Sequence, residues 1–110
     1  MKDDILKHLH DIKEAALAIS RFVSGKTFDD YLHDELLRSG VERKFEIIGE
    51  ALNKIKRGYP TILSKIKKHR NIVSFRDILA HGYDGIDGRI VWGIIEEDLD
   101  NLLEDVEGLT

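Results

Sequence analysis

Apolar residues recur at spacings of four and three from the start of the chain: Ile5, Leu9, Ile12, Ala16, Ile19 and Val23. That register marks one face of an α-helix, so it predicts a first helix of about 20 residues with this seam turned inward. Ser24-Gly25 stops it. Thr27, with Asp30 three residues later, has the form of a capping box and opens a second helical region. Leu37, Val41, Phe45, Ile48, Leu52 and Ile55 hold helical phase across Gly40, which predicts a long helix up to Gly58 with Gly40 as its candidate bend. Tyr59-Pro60 breaks the chain, because proline lacks the N–H and clashes with the preceding turn. A short turn of helix is expected from Thr61, then a helix over Ile72–His81. A loop follows from Gly82, and its last residue, Asp87, is suited to N-cap what comes next. Trp92, Ile95, Leu99, Leu102 and Val106 line one final helix. There is no strand alternation, repeat or linker. The fold class is all-α, an antiparallel bundle of four to five helices.

Composition bounds this picture. A chain of 110 residues suits one domain, residues 1–110, with a single modest core. The absence of cysteine excludes a disulfide framework and a thiolate metal site. No apolar stretch approaches the roughly 20 residues that span a bilayer. Met1-Lys-Asp-Asp-Ile-Leu carries acids where a signal peptide would be cationic and then apolar, so a cytoplasmic protein without membrane association is expected.

The net charge of −4 does not by itself suggest a polyanionic partner, but its distribution does. From Ala51 to Arg76 there is no acid, while Lys54, Lys56, Arg57, Lys65, Lys67, Lys68, Arg70 and Arg76 are basic. From Glu96 to Glu107 the chain is acidic and holds no Lys or Arg. The basic stretch could form a face that attracts and orients a polyanion, with Lys67, Lys68 and Arg70 as candidate contacts. Taken alone, the charge runs read more simply as two solvated helix faces that complement each other, or a partner.

The basic stretch ends in the segment of greatest chemical interest, Arg76-Asp-Ile-Leu-Ala-His81-Gly-Tyr83. Arg76 offers a fork of donors for a phosphate with a charge that does not titrate. His81 is of the one residue type whose ordinary pKa lets it give or take a proton near neutrality. Together they are the minimal parts of a metal-free ribonuclease, since RNA carries its own nucleophile, the 2′-OH. On a regular helix a spacing of five sets the two side chains about 140° apart, so convergence needs a frayed helix end or the reach of the Arg. Gly82 is suited to ending the helix in a left-handed conformation. His8 and His10 point to different sides of a helix and no His pair sits at i and i+4, so no zinc site is expected. His33 and His69 read as solvated. Gly49 and Gly93, inside helices, read as points of close helix–helix approach. Glu46, Glu50 and Asn53 share one side of the long helix and either face a pocket or are ordinary solvated residues. Trp92 reads as core or interface.

Arg76, His81 and Tyr83 match the Arg-x4-His-x-Tyr signature of the HepT-like ribonucleases of the HEPN superfamily, the toxin halves of HepT/MNT toxin–antitoxin modules. The chain resembles that family over nearly its whole length. Val41-Glu-Arg-Lys-Phe-Glu-Ile-Ile-Gly-Glu-Ala51 is similar to its long-helix segment, and Ile86-Asp, Ile90-Val-Trp92 and Asp98-Leu99 to its final loop and helix. The pattern departs from its commonest form at Asp77, where Asn is frequent. The resemblance implies metal-independent RNA cleavage by Arg76 and His81 without a cofactor. It also implies an MNT-type nucleotidyltransferase antitoxin that transfers AMP to Tyr83. A two-fold homodimer is expected as well, because one chain offers only one well-placed His, and a two-fold axis beside the motif would supply a second. Two other classes stay open: a non-catalytic nucleotide- or substrate-binding subunit of a nucleotidyltransferase, and a purely structural helical dimerisation module.

Overall fold

Helix seams of the predicted spacing organise the computed structural model, which describes residues 3–73 and 87–110. Among the described residues every regular element is a helix. Helix α1 spans Asp3–Val23 and buries Ile5, Leu9, Ile12, Ala16 and Ile19 together with Ala15 and Ala18. It ends before Gly25, whose φ of 73° is the left-handed conformation that a side chain would disfavour. Helix α2 spans Phe28–His33 and starts in a complete capping box. The Thr27 hydroxyl accepts from the Asp30 N–H at 3.1 Å, and the Asp30 carboxylate accepts from the Thr27 N–H at 2.9 Å. Two otherwise orphaned helix-start donors are thereby satisfied.

Helix α3 spans Glu35–Gly58 and buries Leu37, Val41, Phe45, Ile48, Leu52 and Ile55 along its seam. The interruption in this part of the chain lies at Asp34, not at Gly40. Asp34 is extended at φ −121°, ψ 98°, and its carboxylate accepts from the Leu37 N–H at 3.1 Å, so one residue ends α2 and caps α3. Gly40 sits within α3 and serves packing: a Cβ there would stand 3.3 Å from the Phe22 ring. At the other end of this helix pair the Tyr59 hydroxyl donates to Asp4 at 2.6 Å. These two contacts hold α1 antiparallel to α3.

Pro60 opens the short helix α4, Pro60–Leu63, at the position where its missing N–H costs nothing. Residues 69–73 are helical again, so helix begins three residues before the predicted start at Ile72; the rest of the predicted span to His81 lies outside the described residues. Helix α5 spans Gly88–Glu97, with Asp87 as its N-cap. Helix α6 spans Leu99–Leu109. The expected single final helix is thus two, divided at Asp98. Four helices of ten residues or more, α1, α3, α5 and α6, make the bundle.

One contiguous core joins them, with Ile5, Leu9, Phe45, Ile48, Leu102 and Val106 fully buried. Truncating a residue such as Phe45 to Ala would cost about 3–5 kcal/mol. Trp92 lies half-buried, with ring centroids 5.6 Å from Tyr31 and 6.2 Å from Phe28, and so seats α5 on α2. Gly88 permits that seating, since a Cβ there would meet Leu32 at 2.9 Å. Gly93 does not have the close helix neighbour expected of it: a Cβ added there meets nothing within 4 Å. No helix among the described residues is long and apolar enough to cross a membrane.

Candidate functional site

Arg76, His81 and Tyr83 lie outside the described residues, as do Asp77 and Gly82. The frame from which that segment departs, and to which it returns, is described on both sides. On the entering side, residues 67–71 are tied to the acidic end of the chain. Lys68 brings its ammonium to 3.5 Å from Asp98, and the Asn71 amide donates to the other oxygen of the same carboxylate at 3.1 Å. The Lys67 N–H donates to Asp105 at 3.1 Å.

Asp98 is the centre of this arrangement. It is 5% exposed, the only charged residue in the core among the described residues. It stands at the start of α6 without capping that helix through its side chain. Both its oxygens are turned across to residues 68 and 71 instead. A buried carboxylate left without partners would be costly, so the contacts of Asp98 orient residues 68–71 as well as satisfying the acid. In the sequence Asp98 falls within the acidic run Glu96–Glu107, which does not single it out as buried. The available signal was its register: Val91, Ile95, Leu102 and Val106 share its spacing and are buried. An acid on an apolar seam asks for a partner.

On the returning side, Asp87 accepts from the Arg89 N–H at 2.9 Å and holds the Arg89 guanidinium with both oxygens, at 3.2 and 3.0 Å. Arg89 thereby lowers the Asp87 pKa, chiefly through the side-chain hydrogen bond. The start of α5 is therefore anchored by its cap and by the Gly88 contact with α2.

The candidate RNA contacts divide. Lys68 is engaged with Asp98, and Lys67 is held through its backbone while its side chain is exposed. Arg70 faces a cavity of about 460 Å³ between α3 and residues 60–73, lined by Asn53, Lys56, His69 and Arg70 over apolar Leu63 and Val73. A second cavity of about 580 Å³ shares Asn53 and Lys56 and adds Glu50, Lys54 and Arg57. His69, expected in solvent, is half-buried in the wall of the first cavity. Burial, then the positive charges of Arg70 and Lys56, lower its pKa below the usual value. Of the three polar residues on one side of α3, Glu50 and Asn53 face these cavities, whereas Glu46 takes the Arg43 guanidinium at 3.1 Å. Among the described residues there is no group of three or more His, Asp or Glu side chains placed to hold a metal ion.

A ribonuclease HepT-like family model matches residues 12–109. A Methanocaldococcus jannaschii protein that bears an RNase name is 31% identical over 106 residues, 96% of each chain. A Thermococcus cleftensis protein named "Probable ribonuclease HepT" is 35% identical over 102 residues, 93% of this chain and 92% of the relative. An RNase-named protein of Caldanaerobacter subterraneus is 33% identical over 98 residues, 89% of this chain and 86% of the relative. No solved structure matches the chain. The helical bundle, the Arg76–His81–Tyr83 spacing and these relatives agree, and the chain belongs to the ribonuclease HepT-like family.

Proposed function

We propose that residues 1–110 form one HepT-like domain that acts as a metal-independent endoribonuclease, with Arg76 and His81 as its catalytic residues. The match of residues 12–109 to the family model, with Arg76, His81 and Tyr83 at the signature spacing inside it, carries this reading. The chemistry needs little more. The 2′-oxygen of RNA attacks the adjacent phosphorus while its proton passes to a base, and the bond from phosphorus to the 5′-oxygen breaks as that oxygen takes up a proton. The products are a 2′,3′-cyclic phosphate and a 5′-hydroxyl. His81 serves as base or acid, and a second copy of the chain across a two-fold axis would supply the other role. Arg76 binds the phosphate and neutralises the charge that builds up on its oxygens.

The biological setting proposed is a toxin in the cytoplasm, silenced by an MNT-type nucleotidyltransferase that joins the phosphorus of AMP to the Tyr83 hydroxyl with loss of pyrophosphate from ATP. The added phosphodiester would place negative charge and a bulky nucleoside beside Arg76 and His81, excluding RNA by charge and volume. Purified protein should cut RNA in EDTA and leave 2′,3′-cyclic ends, and His81→Ala should lower the rate by about 10²-fold or more with the helical content unchanged. Wild-type activity in that variant overturns the mechanism. Co-expression with the nucleotidyltransferase should add AMP-sized mass to wild type and none to Tyr83→Phe; modification of Tyr83→Phe would exclude this tyrosine.

A further inference from the structure

We propose that the groove across the C-terminal half of α3 is a docking site for single-stranded RNA, with Lys56 and Arg70 on a backbone phosphate and Asn53 and His69 against the nucleoside. This extends the ribonuclease reading above and rests on it. The two cavities of about 460 and 580 Å³ share Asn53 and Lys56, so they lie side by side along α3. Four cations, Lys54, Lys56, Arg57 and Arg70, line them against one carboxylate, Glu50. No ion pair among the described residues engages any of the four, although Lys68, two residues from Arg70, is engaged with Asp98. Exposed like charges gathered in this way raise a positive potential that a polyanion would relieve. Burial first, and then the charges of Arg70 and Lys56, lower the pKa of His69 in the same wall.

The lining also discriminates among anions. A free phosphate or an acidic peptide would use the cations alone. Here a cationic rim adjoins an apolar floor of Pro60, Leu63 and Val73, beside an amide and an imidazole that can hydrogen-bond a base edge. A nucleotide with its base swung out of a stack meets each of these, which a base paired within a duplex does not. The lining ends at Val73, three positions before Arg76 in the sequence.

The test measures binding of a 2′-O-methyl oligoribonucleotide by fluorescence anisotropy across a salt series. Without a free 2′-hydroxyl this probe cannot be cut, so binding is read independently of catalysis. Lys56 and Arg70 are both exposed, so their loss should leave the fold intact. The double variant Lys56→Ala/Arg70→Ala should bind at least tenfold more weakly. Its slope of log affinity against log salt should be shallower by about 0.7, the value for one phosphate contact on a single strand. Arg21→Ala/Lys26→Ala removes the same charge at the far end of α1 and should bind like wild type. Wild-type affinity and slope in the first variant overturn the proposal, as does an equal loss in both variants, which would reduce the effect to net charge. Parallel cleavage of unmodified RNA separates the two readings. Wild-type protein that binds through this groove and never cuts would sink the ribonuclease reading alone, and cutting with unaltered binding in the first variant would sink the groove alone.

Discussion

Among the described residues, the basic stretch after Ala51 and the acidic stretch after Glu96 share polar contacts at two acids, and the two contacts differ in kind. At one, buried Asp98 receives the Lys68 ammonium and the Asn71 amide. At the other, Asp105 receives only the Lys67 N–H, and the Lys67 side chain is exposed. Away from these points Lys54, Lys56, Arg57 and Arg70 line a groove, while Glu96, Glu97, Asp100, Glu104 and Glu107 face solvent. Desolvation separates the roles. A carboxylate removed from water must be matched by donors or it opposes folding, so Asp98 is bound into the structure. An exposed charge has water as its partner and remains available to a ligand.

The sharpest way to break this comparison is to remove Asp98. Asp98→Ala strips the acceptor from Asn71 and the counter-charge from Lys68, and should cost about 1–3 kcal/mol of stability. Asp98→Asn keeps an acceptor and should cost less. Because residues 68–71 lead into the segment of Arg76 and His81, Asp98→Ala should also lower ribonuclease activity at temperatures where the protein is folded. Asp98 is a positioning residue here, so rescue of activity by Asp98→Asn, without recovery of the lost charge, is the discriminating outcome. Thermal melts in which Asp98→Ala matches wild type would place Asp98 with the solvated acids.

Smaller effects should grade by how each contact is made. Lys68 is 39% exposed in its side chain, so solvent screens its pairing with Asp98. Lys68→Met should cost about 0.5–1 kcal/mol. Lys67→Ala should stay within about 0.5 kcal/mol of wild type, because the contact uses the backbone and survives the substitution. Denaturant titration of the two variants checks the order, and a Lys67→Ala loss as large as that of Lys68→Met would show that the backbone account is wrong.

The same contrast explains which features could be read from the chain alone. The seams of α1 and α3 were legible because burial follows a period near 3.6, and the Thr27–Asp30 box and the Asp87 cap because capping is local chemistry. The breaks at Asp34 and Asp98 were not: at Asp98 the apolar residues keep helical phase on both sides, and at Asp34 no Gly or Pro marks the break. Asp34 ends one helix and caps the next, so it resembles a polar residue on a continuous helix. Asp98 is settled by Lys68 and Asn71, 30 and 27 positions away, and no local pattern reports that pairing. Of the candidate site, the signature residues were legible as a spacing and the groove was not. Asn53, Lys56 and His69 come from two separate helical segments, and only the packing of residues 60–73 on α3 puts them in one wall.

The finest probe of the comparison is His69 itself, a titrating group inside the basic groove. Its folded pKa lies below the usual 6.5, through burial first, then the charges of Arg70 and Lys56. The folded protein therefore binds fewer protons at this site than the unfolded chain in the window between the folded pKa and 6.5. The resulting penalty on folding is fully present below the folded pKa, shrinks as pH rises, and is gone above the unfolded value. Removing a charge should move the titration back up: Arg70→Met by more than Lys56→Met, with neither restoring the ordinary value because burial remains. An NMR titration of the His69 ring protons reads this directly. Addition of the uncleavable oligonucleotide should shift the same titration upward in wild type, since phosphate in the groove offsets the cations, and should shift it less in either variant. A His69 pKa indifferent to both substitutions and to the oligonucleotide would mean that burial alone sets it. The groove would then exert no special potential, and its cations would be as solvated as the acids of α6.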